Sequence, residues 1–256
     1  MPLVIGPVYE STLVKRPSQV CKTPYVADVL LSGAKETTLA HSPSLGCCGL
    51  IDKGTKCKML MTKLDADKNK CPHRIQFIQL PDPNNSIVCV NPKTSEDLVE
   101  LVFINNLFPS ELDMFNNTSS LQREVSFEMS SKERSRFDFK GITSTGENFV
   151  LEVKSVPLVN SESISLFPLG YTRRKGDVVS PRALKHIHHL EEMLARQYVS
   201  VLVFCVQRGD SKGFKLCDND PTYRDAVLQA KEKGVLILVF YFNWIIVDYH
   251  VHCDLE

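Results

Sequence analysis

The alternation of apolar and polar positions divides the chain into two stretches. Between residues 9 and 92, short β-like runs are broken by turn residues: Tyr25-Val26-Ala27-Asp28-Val29-Leu30, Cys57-Lys58-Met59-Leu60-Met61, Ile75-Gln76-Phe77-Ile78-Gln79-Leu80 and Ile87-Val88-Cys89-Val90. No helical period persists there, and the spacing of runs and turns predicts a small β-barrel. The lysine-rich stretch 63–70 reads as a solvated loop. Beyond it, Ser95 is placed to cap a helix over 96–104, with Glu96 and Asp97 in its first turn. The polar run 109–120 predicts a loop. Later, Leu184, Ile187, His188, Leu190, Met193 and Leu194 follow a 3.6-residue period and predict a helix over 181–197. An almost continuous apolar run, 199–207, predicts a strand covered on both faces. A helix over 223–233 stops at Gly234, and 235–242 is a second buried strand. These elements predict two domains, a barrel over 1–92 and a mixed sheet with packed helices over 93–256.

Between the two stretches of helix lies a hairpin. The runs Arg134-Ser135-Arg136-Phe137-Asp138-Phe139 and Phe149-Val150-Leu151-Glu152-Val153-Lys154 flank Ser144-Thr145-Gly146, where glycine suits the positive-φ position of a short hairpin loop. With Thr145 at the centre, Phe139 lies opposite Leu151, Phe137 opposite Val153 and Asp138 opposite Glu152. Strict alternation then makes one face wholly apolar. Asp138, Glu152 and Lys154 share the other.

Composition narrows the class. The 256 residues are 43% hydrophobic and 23% charged, as in a globular protein with a real core, and the formal net charge is zero. That balance excludes a histone-like binder while leaving local patches open. The first residues lack a signal-peptide pattern, and the longest apolar run is too short to span a bilayer. A soluble, intracellular protein (cytoplasmic or nuclear) with no membrane partner is expected. Nine cysteines without a secretory signal suggest free thiols. Cys47, Cys48, Cys57, Cys71 and His73 lack any CxxC pair, which favours buried thiols over a zinc site.

The charged hairpin face has two readings, a cross-strand ion pair or a metal site. Two carboxylates bind Mg²⁺ or Mn²⁺ with water and phosphate oxygens in the remaining positions, and a neighbouring lysine steadies charge developing on phosphorus. Asp138, Glu152 and Lys154 are thus the candidate catalytic residues. Asp138 and Glu152 are the candidate metal ligands, with Glu124 on the preceding segment as a further acid. Arg134, Arg136, Arg173, Arg174, Lys175 and Lys185 are candidates for phosphate contact, with Phe167 and Tyr171 interleaved among the later ones. His186, His188 and His189 do not all converge on one helical face, so a histidine metal site is not expected.

Several of these segments together resemble the sugar fermentation stimulation protein A (SfsA-like) family: Arg134 to Phe139, Leu151-Glu152-Val153-Lys154-Ser155-Val156-Pro157-Leu158, Phe167-Pro168, Thr172, Arg174, Gly176 and Lys185-His186. His41-Ser42-Pro43-Ser44-Leu45-Gly46 is similar to the family's H-C-P-N-T-G segment, and Val90-Asn91 to its V-N-T. The resemblance implies an OB-like barrel joined to a PD-(D/E)xK nuclease-like domain. It also implies nucleic-acid binding, DNA before RNA, with Asp138, Glu152 and Lys154 on the nuclease motif and Glu124 as the earlier acid. The sequence departs from the family at Leu169, where an acid is usual, at Ser42, Ser44 and Leu45, and in the added stretch 177–183. The implied function is a divalent-metal-dependent nuclease. The alternative is a DNA-binding regulator that keeps the nuclease fold without cleaving.

Overall fold

The structure is a computed structural model that describes residues 3–44, 49–52, 54–65, 67–170 and 178–255. Its first strand, β1 (Val4–Ile5), is followed by β2 (Tyr9–Lys15), β3 (Val26–Leu31), β4 (Thr38–His41), β5 (Lys58–Lys63), β6 (His73–Gln79) and β7 (Ile87–Cys89). Antiparallel pairing joins β4, β3, β2, β5 and β6 in that order, and a parallel pairing of β4 with β6 closes the ring. The result is the predicted barrel, with five strands. Along its free edge, β6 gives His73 and Arg74 to β4 and Phe77, Ile78 and Gln79 to β7. Ala27, Val29, Ala40, Ile51, Met59, Met61, Ile75 and Ile78 fill the interior.

The second unit comprises α1 (Lys93–Ile104), a 3₁₀ turn (Ser110–Phe115), β8 (Ser120–Glu128), β9 (Arg134–Ile142), β10 (Asn148–Val156), β11 (Ser165–Phe167), α2 (Pro181–Ala195), β12 (Val199–Val206), β13 (Phe214–Leu216), α3 (Pro221–Lys233), β14 (Leu236–Val247) and β15 (His250–Leu255). Its sheet runs β1-β15-β14-β12-β10-β9-β8. The three central strands β10, β12 and β14 are parallel, as their continuous apolar sequences require, and antiparallel strands flank them. On β10 and β12, side chains alternate between two cores. Phe149, Leu151, Val201 and Val203 face α1, while Val150, Leu202 and Phe204 face α2 and α3. The α1 core also takes in Leu60, Phe77, Ile87 and Cys89 from the barrel side, so the two units share one hydrophobic interior.

Three expectations change. The first strand leaves the barrel: Val4 and Ile5 pair with His252 and Val251 in the second sheet. The stretch 110–115 is not open loop but a 3₁₀ turn that buries Phe115 completely against Phe103 and Phe149. Ser95 does not cap α1. The helix starts three residues earlier, after Pro92, and the Ser95 hydroxyl instead accepts a hydrogen bond from Gln207 Nε2 at 2.7 Å. Its neighbour Asn91 supplies the capping contact, accepting from the Lys93 N–H at 3.2 Å. α2 and α3 follow the usual rules, with Ser180 and Asp220 as side-chain N-caps, prolines in the first turn, and Gly234 at φ 112° closing α3.

Candidate active site

The hairpin forms in the expected register. Leu151 pairs with Phe139, Val150 with Lys140 and Phe149 with Gly141, and Gly146 in the turn has φ 90°. The pairing stops at Phe139, and strict alternation fails one residue further on. Phe139 packs with Phe103 of α1, whereas Phe137 sits in the α2 core against Phe127. Ser135 also faces α2, where its hydroxyl meets His189 Nδ1 at 2.7 Å. Phe137 and Phe139 therefore lie on opposite sides of the sheet, and the single apolar face expected from the sequence is not formed. The reversal lies at Asp138 and at Glu124 beside it on β8. Arg123 pairs with Phe139 and Val125 with Phe137, while Glu124 between them adopts the left-handed φ of 57°. A non-glycine residue in that region is uncommon and tends to mark strain kept for a purpose.

The reversal turns Asp138 toward β10. Its Oδ2 accepts the Val153 N–H at 2.7 Å, in place of a further strand-to-strand bond. Glu152, on the α2 side of β10, is buried. Its Oε1 receives Lys154 Nζ at 2.5 Å and also contacts His186 Nδ1 of α2. Its Oε2 is buried with no partner among the described residues. Burial, then the charge of Glu152, pushes the Asp138 carboxyl up to about 7, against the opposing Val153 N–H and Lys154. Burial alone would raise Glu152 as well, but Lys154 and His186 outweigh it and hold its carboxyl below the usual range. A buried Glu152 beside a half-buried Asp138, with opposite shifts, one oxygen without a partner among the described residues and one lysine alongside, has the donor chemistry of a site for a cation and a phosphate.

The other candidates divide. Glu124 is held between Lys93 Nζ and Arg136 Nε, the latter at 2.7 Å, and Lys93 is the main cause of its lowered pKa. That pairing occupies the carboxylate of the expected third acid. Among the described residues no three or more His, Cys, Asp or Glu side chains gather to hold a metal ion, and that applies to Cys57, Cys71 and His73 too. Cys47 and Cys48 lie outside the described residues. Arg136 is exposed apart from its Glu124 contact, Arg134 is exposed at the start of β9, and Lys185 on α2 pairs with Glu133 at 2.6 Å. Arg173, Arg174, Lys175 and Tyr171 lie outside the described residues.

Sequence reasoning missed four participants. His186 and His189, at i and i+3, do share one face of α2 and stack at 6.4 Å beneath the strands, although exposed His188 does not join them. Glu96, in the first turn of α1, adds to the negative field at Asp138 and is bonded by Lys93 and Arg123. Gln207, at the end of β12, donates to both Ser95 and Ser155 and ties α1 to the end of β10. Only His186 carried a signal, its match beside Lys185 to the family's segment. Gln207 and Glu96 look like ordinary polar residues until the fold brings them together.

A closed barrel shares its core with a mixed sheet that carries an acidic centre on β9 and β10, which defines a two-unit protein with that centre in its second unit. The chain belongs to the SfsA family. The family model described as "Sugar fermentation stimulation protein RE domain" matches residues 94–245. A sugar fermentation stimulation protein homolog of Pelagibacter ubique is 30% identical over 84% of this chain and 84% of its own. The homolog of Thioalkalivibrio sulfidiphilus is 30% identical over 90% of this chain and 86% of its own. The fold is similar to that of Pyrococcus furiosus SfsA, solved in complex with Ca²⁺, with a TM-score of 0.77, 17% identity and coverage of 100% of this chain and 97% of that one. No described helix is long and apolar enough to cross a membrane.

Proposed function

We propose that this protein is a divalent-metal-dependent nuclease acting on DNA, with Asp138, Glu152 and Lys154 as its catalytic residues. In this reading the barrel is OB-like and the second unit is a PD-(D/E)xK nuclease-like domain. The pairing order of the barrel strands and the parallel centre of the second sheet support that reading. The observation that carries the proposal is Glu152 Oε2, a buried carboxylate oxygen with no partner among the described residues, beside a second, strongly perturbed carboxyl. An oxygen left in that state is costly unless something binds it.

Asp138 and Glu152 would hold the cation, Mg²⁺ or Mn²⁺, and their oxygen chemistry fits such hard ions. The Ca²⁺ complex of the Pyrococcus furiosus relative is in keeping with that choice. When bound, the cation supplies polarisation of the phosphate and a lowered pKa for its water. The protein's own groups do the rest. The Val153 N–H fixes Asp138, and His186 and Lys154 hold Glu152 by one oxygen, leaving the other without a partner among the described residues. Lys154 remains partly open to solvent and can also meet a phosphate oxygen as charge builds on it. Arg134 and Arg136 extend positive charge along β9 toward the strand being bound.

A second reading, a DNA-binding regulator without turnover, is favoured by a different observation. One oxygen of Glu152 is already taken by both Lys154 and His186, and the usual acid near Phe167-Pro168 is Leu169. Incubating the protein with single- and double-stranded DNA and with RNA, under Mg²⁺ or Mn²⁺, separates the two. Cleavage that disappears in Asp138→Asn and Lys154→Ala supports the nuclease. Equal cleavage by those variants removes this site from the chemistry, and salt-dependent DNA binding with no turnover in any metal supports the regulator.

A further inference from the structure

The barrel carries a second polar cluster, which the acidic site does not use. In the parallel pair of β4 and β6, His41 lies opposite Arg74. Ile75 faces the barrel interior, so alternation turns Arg74 outward. The next outward residues on β6 meet the second unit. Gln76 Nε2 donates to Thr94 Oγ1 in the first turn of α1 at 2.6 Å, and Phe77 packs edge-on against Trp244. Arg74 lies two residues before Gln76, about 7 Å along the strand, at the rim of the interface between the units. Two residues beyond Thr94 on α1 is Glu96, whose charge is felt by Asp138.

What distinguishes Arg74 is a buried guanidinium nitrogen that has no partner among the described residues. Arg16, Arg123, Arg136, Arg196, Arg208 and Arg224 each have a carboxylate within ion-pair distance. Arg74 has no hydrogen bond or ion pair to any described residue, although its Nε is buried. His41 Nδ1 beside it is likewise buried and has no partner among the described residues. Burial, then the Arg74 charge, holds the His41 imidazole below its usual range, so at neutral pH it is an uncharged partner to the guanidinium. A half-buried charged fork and an imidazole, neither paired with an acid among the described residues, suit an anion offering several acceptor oxygens.

We propose that Arg74 and His41 form a phosphate-binding subsite on the barrel, which holds a backbone phosphate of the nucleic acid presented to Asp138, Glu152 and Lys154. The nucleic-acid origin of that phosphate rests on the proposed function. The phosphate chemistry of the subsite does not. The test is fluorescence anisotropy of labelled DNA oligonucleotides across a salt series, with wild type, Arg74→Gln and Arg74→Lys, alongside thermal melts with inorganic phosphate. Arg74→Gln is expected to weaken oligonucleotide binding roughly ten-fold and to lower the salt slope by about one. Arg74→Lys keeps the slope and part of the affinity, and it carries the comparison if the glutamine variant does not fold. The rise in Tm on adding Mn²⁺, which reports the acidic site, is expected to be unchanged in both. Wild-type affinity and slope in both variants overturn the subsite and leave the nuclease reading standing. If wild type binds no oligonucleotide but phosphate raises its Tm and not that of Arg74→Gln, the phosphate subsite stands and its nucleic-acid source falls. If neither probe binds, the subsite is overturned.

Discussion

Replacing Asp138 by asparagine isolates the strain stored in the acidic pair. The folded carboxyl is raised from 3.8 to about 7. Its protonated form contributes stability that is complete below the unfolded value and is lost as pH rises toward 7. A shift of about three units corresponds to about 4 kcal/mol. Relaxation and water entry reduce what a measurement would show, so a gain of about 1–2 kcal/mol is expected for Asp138→Asn at pH 8. The amide oxygen can still accept the Val153 N–H, so the local backbone is kept. The assay is urea unfolding in EDTA at pH 8 and pH 5. The gain should shrink at pH 5, where wild-type Asp138 is largely protonated in the folded protein. Adding Mn²⁺ at pH 8 should stabilise wild type by mass action and the variant much less. A variant that is less stable than wild type at pH 8, or changed equally at both pH values, refutes the argument that Asp138 is held at a cost.

Two further outcomes follow from the same region. Lys154→Met removes a charge partner of a carboxylate that is 4% exposed and should cost roughly 3 kcal/mol, read by urea unfolding at pH 8. Any nucleolytic activity should go with it. Gly141→Ala would drive a methyl group into the Ser120 carbonyl and the ring of Phe149, where β8, β9 and β10 come closest. It should lower stability by about 1–3 kcal/mol, and a Tm equal to wild type would show that the strands can part there at little cost.

Much of this site was legible in the chain. Gly146, the apolar residues flanking it and the register they imply were read correctly as far as Phe139 and Leu151, because hairpin pairing depends on neighbours a few residues apart. The same locality explains the two buried core strands, the α3 stop at Gly234, three of the five barrel strands and β7. The error came one residue beyond Phe139. A period-2 rule has no means of anticipating Glu124 at positive φ on another strand, and so it placed Phe137 on the wrong side.

By itself the sequence determined which segments are strand or helix, which residue types could carry metal and phosphate chemistry, and which family the segments resemble. Tertiary structure alone decided that Glu124 is taken up by Lys93 and Arg136, and that His186 reaches Glu152 across 34 residues of chain. It also decided that Val4–Ile5 joins the edge of the far sheet and that Arg74 has no acid partner among the described residues. The physical reason is common to all of these. Local periodicity reports which way a side chain leaves its own strand or helix, whereas a charge's partner, its burial and its pKa depend on segments far away in the chain that only packing brings beside it.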